Sequence, residues 1–586
     1  MKNYDIAKIL HEIAIYEEIK GEEKFKPRAY ERAAMYIGSL DNDLETLYRK
    51  TEGEEEGYGI KALMELPGIG KSIAHTLEEI ITTGKSQYHQ ELKKQIPVDV
   101  TTLASMEGIG PKTVKVLYEK LGIANIEDLE KAAKEKRIRN VPGFGEKSEQ
   151  QILKGIEFFK KTYGDRRFVL GFIFNTLEDI LQSLKKLDVV EKAELAGSAR
   201  RMKETIGDID ILAVSSEPDK VMDFFTSLPE VVYVHTKGIT KSMIRLNSGI
   251  DCDLRIVPQQ SFGAALQYFT GSKQHNVVLR TIALHRGYKL NEYGLYDKTN
   301  KKIAGREEED IYSKLGLAWV PPEIREDKGE IQAAIDDHLP KLIDYNSLKG
   351  DLQVHTNWTD GNNSIIEMAQ AARKIGLEYI AITDHSKTLQ IAHGLSKEKL
   401  QKQKKEIEKV NDQLMNEKNI RTRVLWGVEL EILKDGSLDL ENGILSEFDI
   451  VGAAIHSHFS LSKQEQTKRI ISAMYNSKVD ILFHPTCRII QERQALDIDM
   501  DKIINIATQT NTILEVNASP LRLDLHDEYI RLAIENGCKL SIDSDAHDIS
   551  HIRFLKFGIA QARRGWAEEK DIVNTLPLKK LLKLLK

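Results

Sequence analysis

Apolar residues recur at three- and four-residue spacing from about residue 4 to 160, with few β-branched runs, which predicts a mostly helical region. From about 165 to 320 the pattern changes to short β-rich runs, KAELAGSAR, DIDILAV, VVYVHT and DCDLRIVP, broken by helical stretches. A proline- and acid-rich stretch over Trp319–Asp337 predicts a linker or a domain boundary. After Tyr345, apolar strand, polar loop and amphipathic helix alternate, as in EYIAITDHS, TRVLWGVELEI, FDIVGAAIHSH, VDILFHP, TILEVNAS and CKLSIDSDAH. That alternation predicts an α/β barrel-like domain with its reactive residues at the carboxyl ends of the strands. The closing KKLLKLLK predicts a packed terminal helix.

A chain of 586 residues exceeds what one core can hold, so several folding units are expected. Hydrophobic residues at 41% and charged residues at 30% fit globular protein and not wholesale disorder. No run of about 18 apolar residues occurs, so no membrane partner is expected. The opening MKNYDIAKILHEIAIYEEIKGEEK scatters acids through its apolar positions, unlike a secretory signal. Cys252, Cys487 and Cys538 are too few for a disulfide framework and fit a reducing, cytoplasmic setting. A net charge of −6 gives no global sign of a nucleic-acid partner, but phosphate contacts need only local basic surface.

LPGIGKSIAHTLEEI, MEGIGPKTVKVLYEKL and VPGFGEKSEQQILKGI, beginning at Leu66, Met106 and Val141, form a degenerate internal repeat. Each places two glycines before a helix start: Gly68 and Gly70, Gly108 and Gly110, Gly143 and Gly145. Glycines let the backbone approach a ligand closely, and the unpaired N–H groups behind them suit a phosphate without reading bases. Lys71, Lys112 and Lys147 follow the turns and could add counter-charge. A plain turn between packed helices is the alternative, and the threefold recurrence argues against it. The segments resemble helix–hairpin–helix motifs, which bind DNA non-specifically.

The stretch LAGSARRMKETIGDIDILAV carries Asp208 and Asp210 two apart on a strand, so both carboxylates face one side. A third acid should come from IDCDLRIVP, as Asp251 or Asp253. Two Mg²⁺ held by such acids serve nucleotidyl transfer. Here residues 4–315 resemble an X-family DNA polymerase, the family of polymerase β. The resemblance rests on Gly197-Ser198 followed by Gly207-Asp208-Ile209-Asp210, on Asp253-Leu254-Arg255, and on Tyr268-Phe269-Thr270-Gly271-Ser272 with Asn276 and Arg280. It implies that Asp208, Asp210 and Asp253 bind Mg²⁺ or Mn²⁺, with Asp251 second to Asp253. It also implies that Asp253 helps activate the primer 3′-hydroxyl and that Ser198 and Arg201 contact the triphosphate. Tyr268, Phe269, Gly271, Ser272 and Asn276 would hold the incoming nucleotide, and Arg280 would touch the template side. One departure concerns the lyase lysine of the family's animal members: Thr76 stands there and cannot form an imine. Lyase activity would need Lys71 or Lys85 to substitute, and the sequence alone does not predict it.

Strand ends from Gly350 onward carry Gln353-Val354-His355 with Asp360, Asp384-His385, Glu429, His456-Ser457-His458, His484-Pro485 and Asp545-Ala546-His547. A lone histidine is usually a packed or surface residue, but six such motifs at the ends of apolar runs point to metal. Imidazole with carboxylate suits Zn²⁺, Mn²⁺ or Fe²⁺ and phosphodiester hydrolysis. The order resembles a polymerase and histidinol phosphatase (PHP) domain over residues 346–575. The resemblance implies a distorted seven-stranded barrel with His355, Asp360, His385, Glu429, His456, His484, Asp545 and His547 as ligands. Gln353 replaces the first histidine of the usual His-x-His and is a weaker ligand. Asp384 could orient His385, His458 could back up the ligands, and Arg488 could bind phosphate or form a surface salt bridge. His393 could approach the substrate, a plain loop residue being the alternative. Cys487 and Cys538 are expected in the core.

The expected architecture is multidomain, α+β and α/β. Helical units with the hairpins span 1–95 and 96–160, a nucleotidyltransferase palm 161–260 and a thumb-like nucleotide-binding subdomain 261–320. A linker at 321–345 leads to the PHP barrel. The expected function is gap filling on primed or gapped duplex DNA with deoxynucleoside triphosphates, by a monomer whose barrel also carries a 3′–5′ exonuclease or hydrolyses damaged ends, including abasic sites; the resemblance implies base excision repair. Alternatives are a barrel acting on a small phosphomonoester, or a DNA-bridging scaffold with an inactive polymerase site.

Overall fold

The computed structural model describes residues 3–585 apart from 22–24, 40–43, 50–57, 67, 105–108, 164–166, 390–391 and 417–421. Helices Asn3–Lys20, Lys26–Ser39, Lys71–Thr83, Gln87–Gln95, Pro111–Leu121, Ile126–Lys134 and Glu146–Tyr163 dominate the first part. Their apolar stripes meet in one core running from Ile6 to Ile156, so the two helical units expected at 1–95 and 96–160 share a single interior. The repeat is visible in the backbone. Gly70 and Gly110 precede their helices with φ −82° and ψ near 170°, and both helices end on left-handed glycines, Gly84 and Gly122.

The palm is a five-stranded sheet. Its strands are β1 (Val190–Leu195), β2 (Asp208–Ser215), β3 (Val231–Lys237), β4 (Lys241–Leu246) and β5 (Asp251–Ile256), in the order β1-β2-β5-β4-β3. Only β2 and β5 run parallel. Helices Leu170–Lys185 and Pro218–Thr226 cover one face, and Phe262–Thr270 packs on the other through Phe262, Ala265 and Leu266. The thumb follows as helix Lys273–His285 with a small three-stranded sheet. The segment expected as a linker is packed rather than loose. Ile324, Ile331 and Ala334 join the thumb core, and Arg325 and Glu330 are fully buried. The proline and acid content that suggested a linker instead serves a 3₁₀ turn and buried ion pairs.

Seven parallel strands then run in sequence order: β6 (Gly350–Val354), β7 (Tyr379–Ile382), β8 (Arg423–Glu431), β9 (Ile450–Ala454), β10 (Ile481–Leu482), β11 (Ile513–Asn517) and β12 (Leu540–Asp543). A parallel bridge from Val354 to Ala546 draws the first strand toward the segment after the last, nearly closing a barrel. Strand alternation explains the near-continuous apolar runs. Ile380 and Ile382 face the outer helices, while Tyr379 and Ala381 point inward with Leu352, Phe483 and Leu581. Leu581, from the terminal basic helix, thus plugs the amino end of the barrel. The barrel also enters the palm: Leu523 and Phe557 belong to the palm core, and Phe557 meets Phe174 edge-on at 5.5 Å.

Candidate functional site

The parallel pairing of β2 with β5 sets Asp208 opposite Asp251 and Asp210 opposite Asp253, with all four side chains on one face. The neighbours separate their states. Arg245 grips Asp251 bidentately at 2.8 and 2.9 Å, and His235 lies 2.9 Å away, which lowers the Asp251 carboxyl below its ordinary value. Burial and the charges of Asp208 and Asp253 instead raise Asp210 to about 7. Asp208 is raised by burial and by Asp253. Asp253 faces Lys241 at 3.1 Å and Arg255 at 3.5 Å, while its Oδ1 is buried without a hydrogen-bond partner. Three mutually repelling carboxylates with an orphaned oxygen fit a divalent cation.

Gly197, at φ +60°, lies so close that an added Cβ would sit 2.5 Å from Asp210 Oδ2. The Gly-Ser turn therefore lies directly against the Asp210 carboxylate. Arg200 bonds Glu308 with both terminal nitrogens, each at 3.0 Å, and Arg325 joins the same carboxylate at 2.6 Å. Arg201 holds Glu326 at 3.0 Å through Nε and the Thr270 carbonyl through Nη1. Gly271 is beside it, since a Cβ there would stand 3.1 Å from Arg201 Nη1. Tyr268 and Phe269 form an edge-to-face pair at 5.1 Å, with Arg255 over Phe269 at 4.5 Å. Asn276 donates to the Tyr268 carbonyl at 2.7 Å. Ser272 is buried and caps helix Lys273–His285 through the His275 N–H, and Arg280 is exposed on that helix. Ser198 is half-buried in the turn.

In the barrel, imidazole and carboxylate atoms converge at the carboxyl ends of the strands. Glu429 is the hub. Its Oε2 lies 3.3 Å from His355 Nε2 and from His385 Nδ1, and its Oε1 lies 3.2 Å from His456 Nε2 and 2.9 Å from His484 Nε2. Asp545 Oδ1 is 3.3 Å from His355 Nε2. Asp360 Oδ2 is 3.4 Å from His385 and 3.6 Å from His547. Two groups have donor atoms within 4.8 Å of one another: His355, Asp360, His385 and His547, and His385, Glu429 and His456. Both ring nitrogens of buried His355 lack hydrogen-bond partners, as does Gln353 Nε2. Such unsatisfied donors in a carboxylate-imidazole cluster fit bound metal. Gln353 is fully buried at the cluster's edge, its Oε1 accepting from Asn517 at 3.3 Å.

Electrostatics follow the same map. Burial works against its charge, yet Glu429 and Glu431 raise His456 to about 9. Burial and Arg522 lower His484 to about 4. Asp360 falls well below the ordinary carboxylate range, since His547 and His385 outweigh its burial.

Several supporting residues escaped the sequence reading. Glu431 accepts from His456 Nδ1 at 2.9 Å, which turns Nε2 toward Glu429. Asn517 Nδ2 reaches Glu515, Gln353 and Asp545 at 3.1–3.3 Å. Arg522 lies 3.4 Å from Asp545, and its Nη1 is buried without a hydrogen-bond partner. The alternation of VELE could have flagged Glu431, because it shares a face with Glu429; Arg522 had no comparable signal. The hydrogen bonds of Asp384 go to the preceding loop and to Gln403. Its carboxylate accepts from Thr356 N–H at 2.8 Å, from the Thr356 and Thr359 hydroxyls and from Gln403, fixing the loop that carries His355 and Asp360. His458 and His393 are exposed, and Arg488 is held by Glu204 of the palm. Cys252, Cys487 and Cys538 are buried.

At the hairpins, Gly68 and Gly143 adopt φ +75° and +92°, and a Cβ at Gly68, Gly70, Gly110, Gly143 or Gly145 would meet nothing within 4 Å. Lys71, Lys112 and Lys147 are exposed beside them, and Gly108 lies outside the described residues. Thr76 is buried, 3.2 Å from the Tyr30 hydroxyl.

An acidic palm with a helical hairpin region and a histidine-rich barrel defines a polymerase joined to a metal-dependent phosphoesterase. Family models match in the same places: a helix-hairpin-helix domain at residues 1–86, a tandem of that motif at 100–157, the DNA polymerase beta thumb at 265–326 and a PHP domain at 351–519. The chain is 37% identical to the DNA polymerase/3′-5′ exonuclease PolX of Bacillus subtilis over the whole of both chains. It is 27% identical to DNA polymerase lambda of Arabidopsis thaliana over 45% of this chain and 54% of that one. A probable phosphatase of a Thermoanaerobacter species matches at 31% over 38% of this chain and 90% of its own. The chain belongs to the PolX family of X-family DNA polymerases with a C-terminal PHP domain. Among the described residues no helix is long and apolar enough to cross a membrane.

Proposed function

We propose that this chain extends primer ends in gapped or primed duplex DNA with deoxynucleoside triphosphates and removes 3′-terminal nucleotides in its barrel. The observation that carries the reading is one chain holding two separate sets of candidate ligands, carboxylates sharing one face of β2 and β5 and a histidine-carboxylate cluster around Glu429. In the palm, Asp208, Asp210 and Asp253 would hold Mg²⁺ or Mn²⁺, which activates the attacking oxygen and stabilises the leaving one. Asp253, whose Oδ1 is buried without a hydrogen-bond partner, is assigned the primer hydroxyl proton. Ser198 and Arg201 receive the triphosphate, Tyr268, Phe269, Gly271, Ser272 and Asn276 shape the sugar and base pocket, and Arg280 faces the template. The 3′-hydroxyl attacks the α-phosphate in line and pyrophosphate leaves.

In the barrel, His355, Asp360, His385, Glu429, His456, His484, Asp545 and His547 with Gln353 would hold Mn²⁺, Zn²⁺ or Fe²⁺. Those ions polarise a phosphodiester and lower the pKa of water. Arg522 offers its unpaired guanidinium nitrogen to the phosphate. The open hairpin glycines grip the DNA backbone from the helical region, and a monomer in the cytoplasm suits these roles.

The test is a one-nucleotide-gapped duplex with a labelled primer, comparing wild type, Asp253→Ala and His355→Ala with and without deoxynucleotides. Extension should be lost only in Asp253→Ala and 3′ shortening only in His355→Ala. Shortening that survives His355→Ala overturns the nuclease assignment. The likeness of the barrel to probable phosphatases then puts a small phosphomonoester first.

A further inference from the structure

The loop that carries Ser198 and Arg201 has its back to the barrel. Arg564, at the end of barrel helix Leu555–Arg564, is 2% exposed in its side chain and reaches three groups of the polymerase half with Nη1. These are the Arg201 carbonyl at 3.2 Å, Glu326 Oε1 at 3.2 Å and the Glu323 carbonyl at 3.3 Å. Its Nη2 is anchored to Asp527 at 2.7 Å, also in the barrel. Glu326 Oε1 in turn receives Arg201 Nε at 3.0 Å. Arg201 is therefore held at both its main chain and its side chain through one barrel guanidinium. Its Nη1 is on the Thr270 carbonyl, which leaves Nη2 as the nitrogen neither contact uses.

The next residues of the loop are tied to the same body. Glu204 takes Arg488 and, at 2.8 Å, Gln561 Nε2. Arg488 is four residues beyond His484. A Cβ on Gly171 would stand 2.4 Å from Pro520, so little space separates the two halves here.

We propose that Arg564 and Glu326 are positioning residues of nucleotidyl transfer, through which the barrel fixes Arg201 for the triphosphate. This rests on the reading of Arg201 as a triphosphate contact. Neither residue touches the reacting atoms. Their contribution is to hold a flexible side chain in one orientation before the nucleotide arrives, which saves ordering cost on binding.

The test measures KM for the deoxynucleotide and kcat on the gapped duplex in Mg²⁺, for Arg564→Met, Arg564→Lys, Glu326→Gln and the reference Arg201→Ala. Nuclease activity in Mn²⁺ without deoxynucleotides is recorded for each. Loss of one charge-assisted bond predicts a KM raised about ten-fold in Arg564→Met and Glu326→Gln, with kcat within about three-fold and the nuclease retained. Arg564→Lys should fall between, because lysine keeps the charge without the fork. Should Arg564→Met fail to fold, Glu326→Gln decides, since it preserves volume and leaves Arg564 on Asp527. An unchanged KM in Glu326→Gln while Arg201→Ala raises it overturns the positioning role alone. A lowered KM overturns it too, showing that Glu326 competes with the triphosphate. Parallel loss of polymerase and nuclease activity in both Arg564→Met and Glu326→Gln also overturns it. An unchanged KM in Arg201→Ala overturns the nucleotide-site reading, and this proposal with it.

Discussion

Replacing Gly197 by alanine puts the contact between the Gly-Ser turn and Asp210 under direct strain. The new Cβ would stand 2.5 Å from Asp210 Oδ2, about 0.9 Å short of the 3.4 Å at which ordinary contact begins. The backbone adds to the cost, because a non-glycine residue at φ +60° is disfavoured by about 1–2 kcal/mol. The Asp210 backbone is held in register against β5, so its carboxylate gives way by turning about its own side-chain bonds, which shifts it relative to Asp208 and Asp253 on the same face. A displacement approaching 1 Å at a reacting centre costs on the order of 100-fold in rate. Single-nucleotide incorporation by rapid quench, at saturating deoxynucleotide over a Mg²⁺ titration, should show that loss with a raised Mg²⁺ requirement. Nuclease activity measured without deoxynucleotides should stay near wild type. Incorporation within about three-fold of wild type at an unchanged Mg²⁺ requirement would refute the placement of Asp210 as a metal-holding carboxylate beside the turn.

Glu429→Gln removes the charge shared by four imidazoles and should abolish 3′ shortening by about 10³-fold, given that such ions contribute several kcal/mol. Metal content by mass spectrometry should fall while primer extension persists; full metal content with normal shortening would rule out the hub. Asp384→Asn should weaken metal binding in the barrel about 10–100-fold by loosening the loop of His355 and Asp360. Metal titration of nuclease activity reads this, and an unshifted curve would leave Asp384 as packing only. Burial opposes ionisation of Glu12, yet His89 and Lys93 hold its carboxyl at about 2 against an ordinary 4.5. Its contribution to stability is therefore complete above about pH 4.5 and lost as pH falls toward 2. Thermal unfolding across that window should lose more stability in wild type than in Glu12→Gln, and parallel curves would reject the linkage.

Periodicity and motif spacing made much of this molecule legible. Asp-x-Asp on a strand requires two carboxylates on one face, and β2 provides them. The histidine motifs end apolar runs because parallel strands present their carboxyl ends to one rim, where Glu429 gathers four imidazoles. What stayed hidden depends on partners distant in sequence. The residues alone offered Asp251 or Asp253, with Asp253 put first only by the resemblance; Arg245 and His235, which engage Asp251, come from strands the motif does not include. Proline and acid near Ile324 read as a linker because the guanidinium that neutralises Glu308 belongs to Arg325 in that same stretch, folded back on the thumb. Arg488 offered phosphate binding or a salt bridge, and its partner, Glu204, lies 284 positions away.

The presence of Leu523 and Phe557 inside the palm core carries a consequence for how the two halves could be taken apart. A fragment ending near residue 345 would leave the palm with an uncovered apolar face where Phe174 now meets Phe557. Sequence modularity and thermodynamic modularity thus part company: the barrel reads as a self-contained insert, yet it finishes its neighbour's interior. Gene-level separation of the two activities would demand compensating surface changes on helix Leu170–Lys185, and unfolding of the palm and barrel should be a shared event rather than two successive ones.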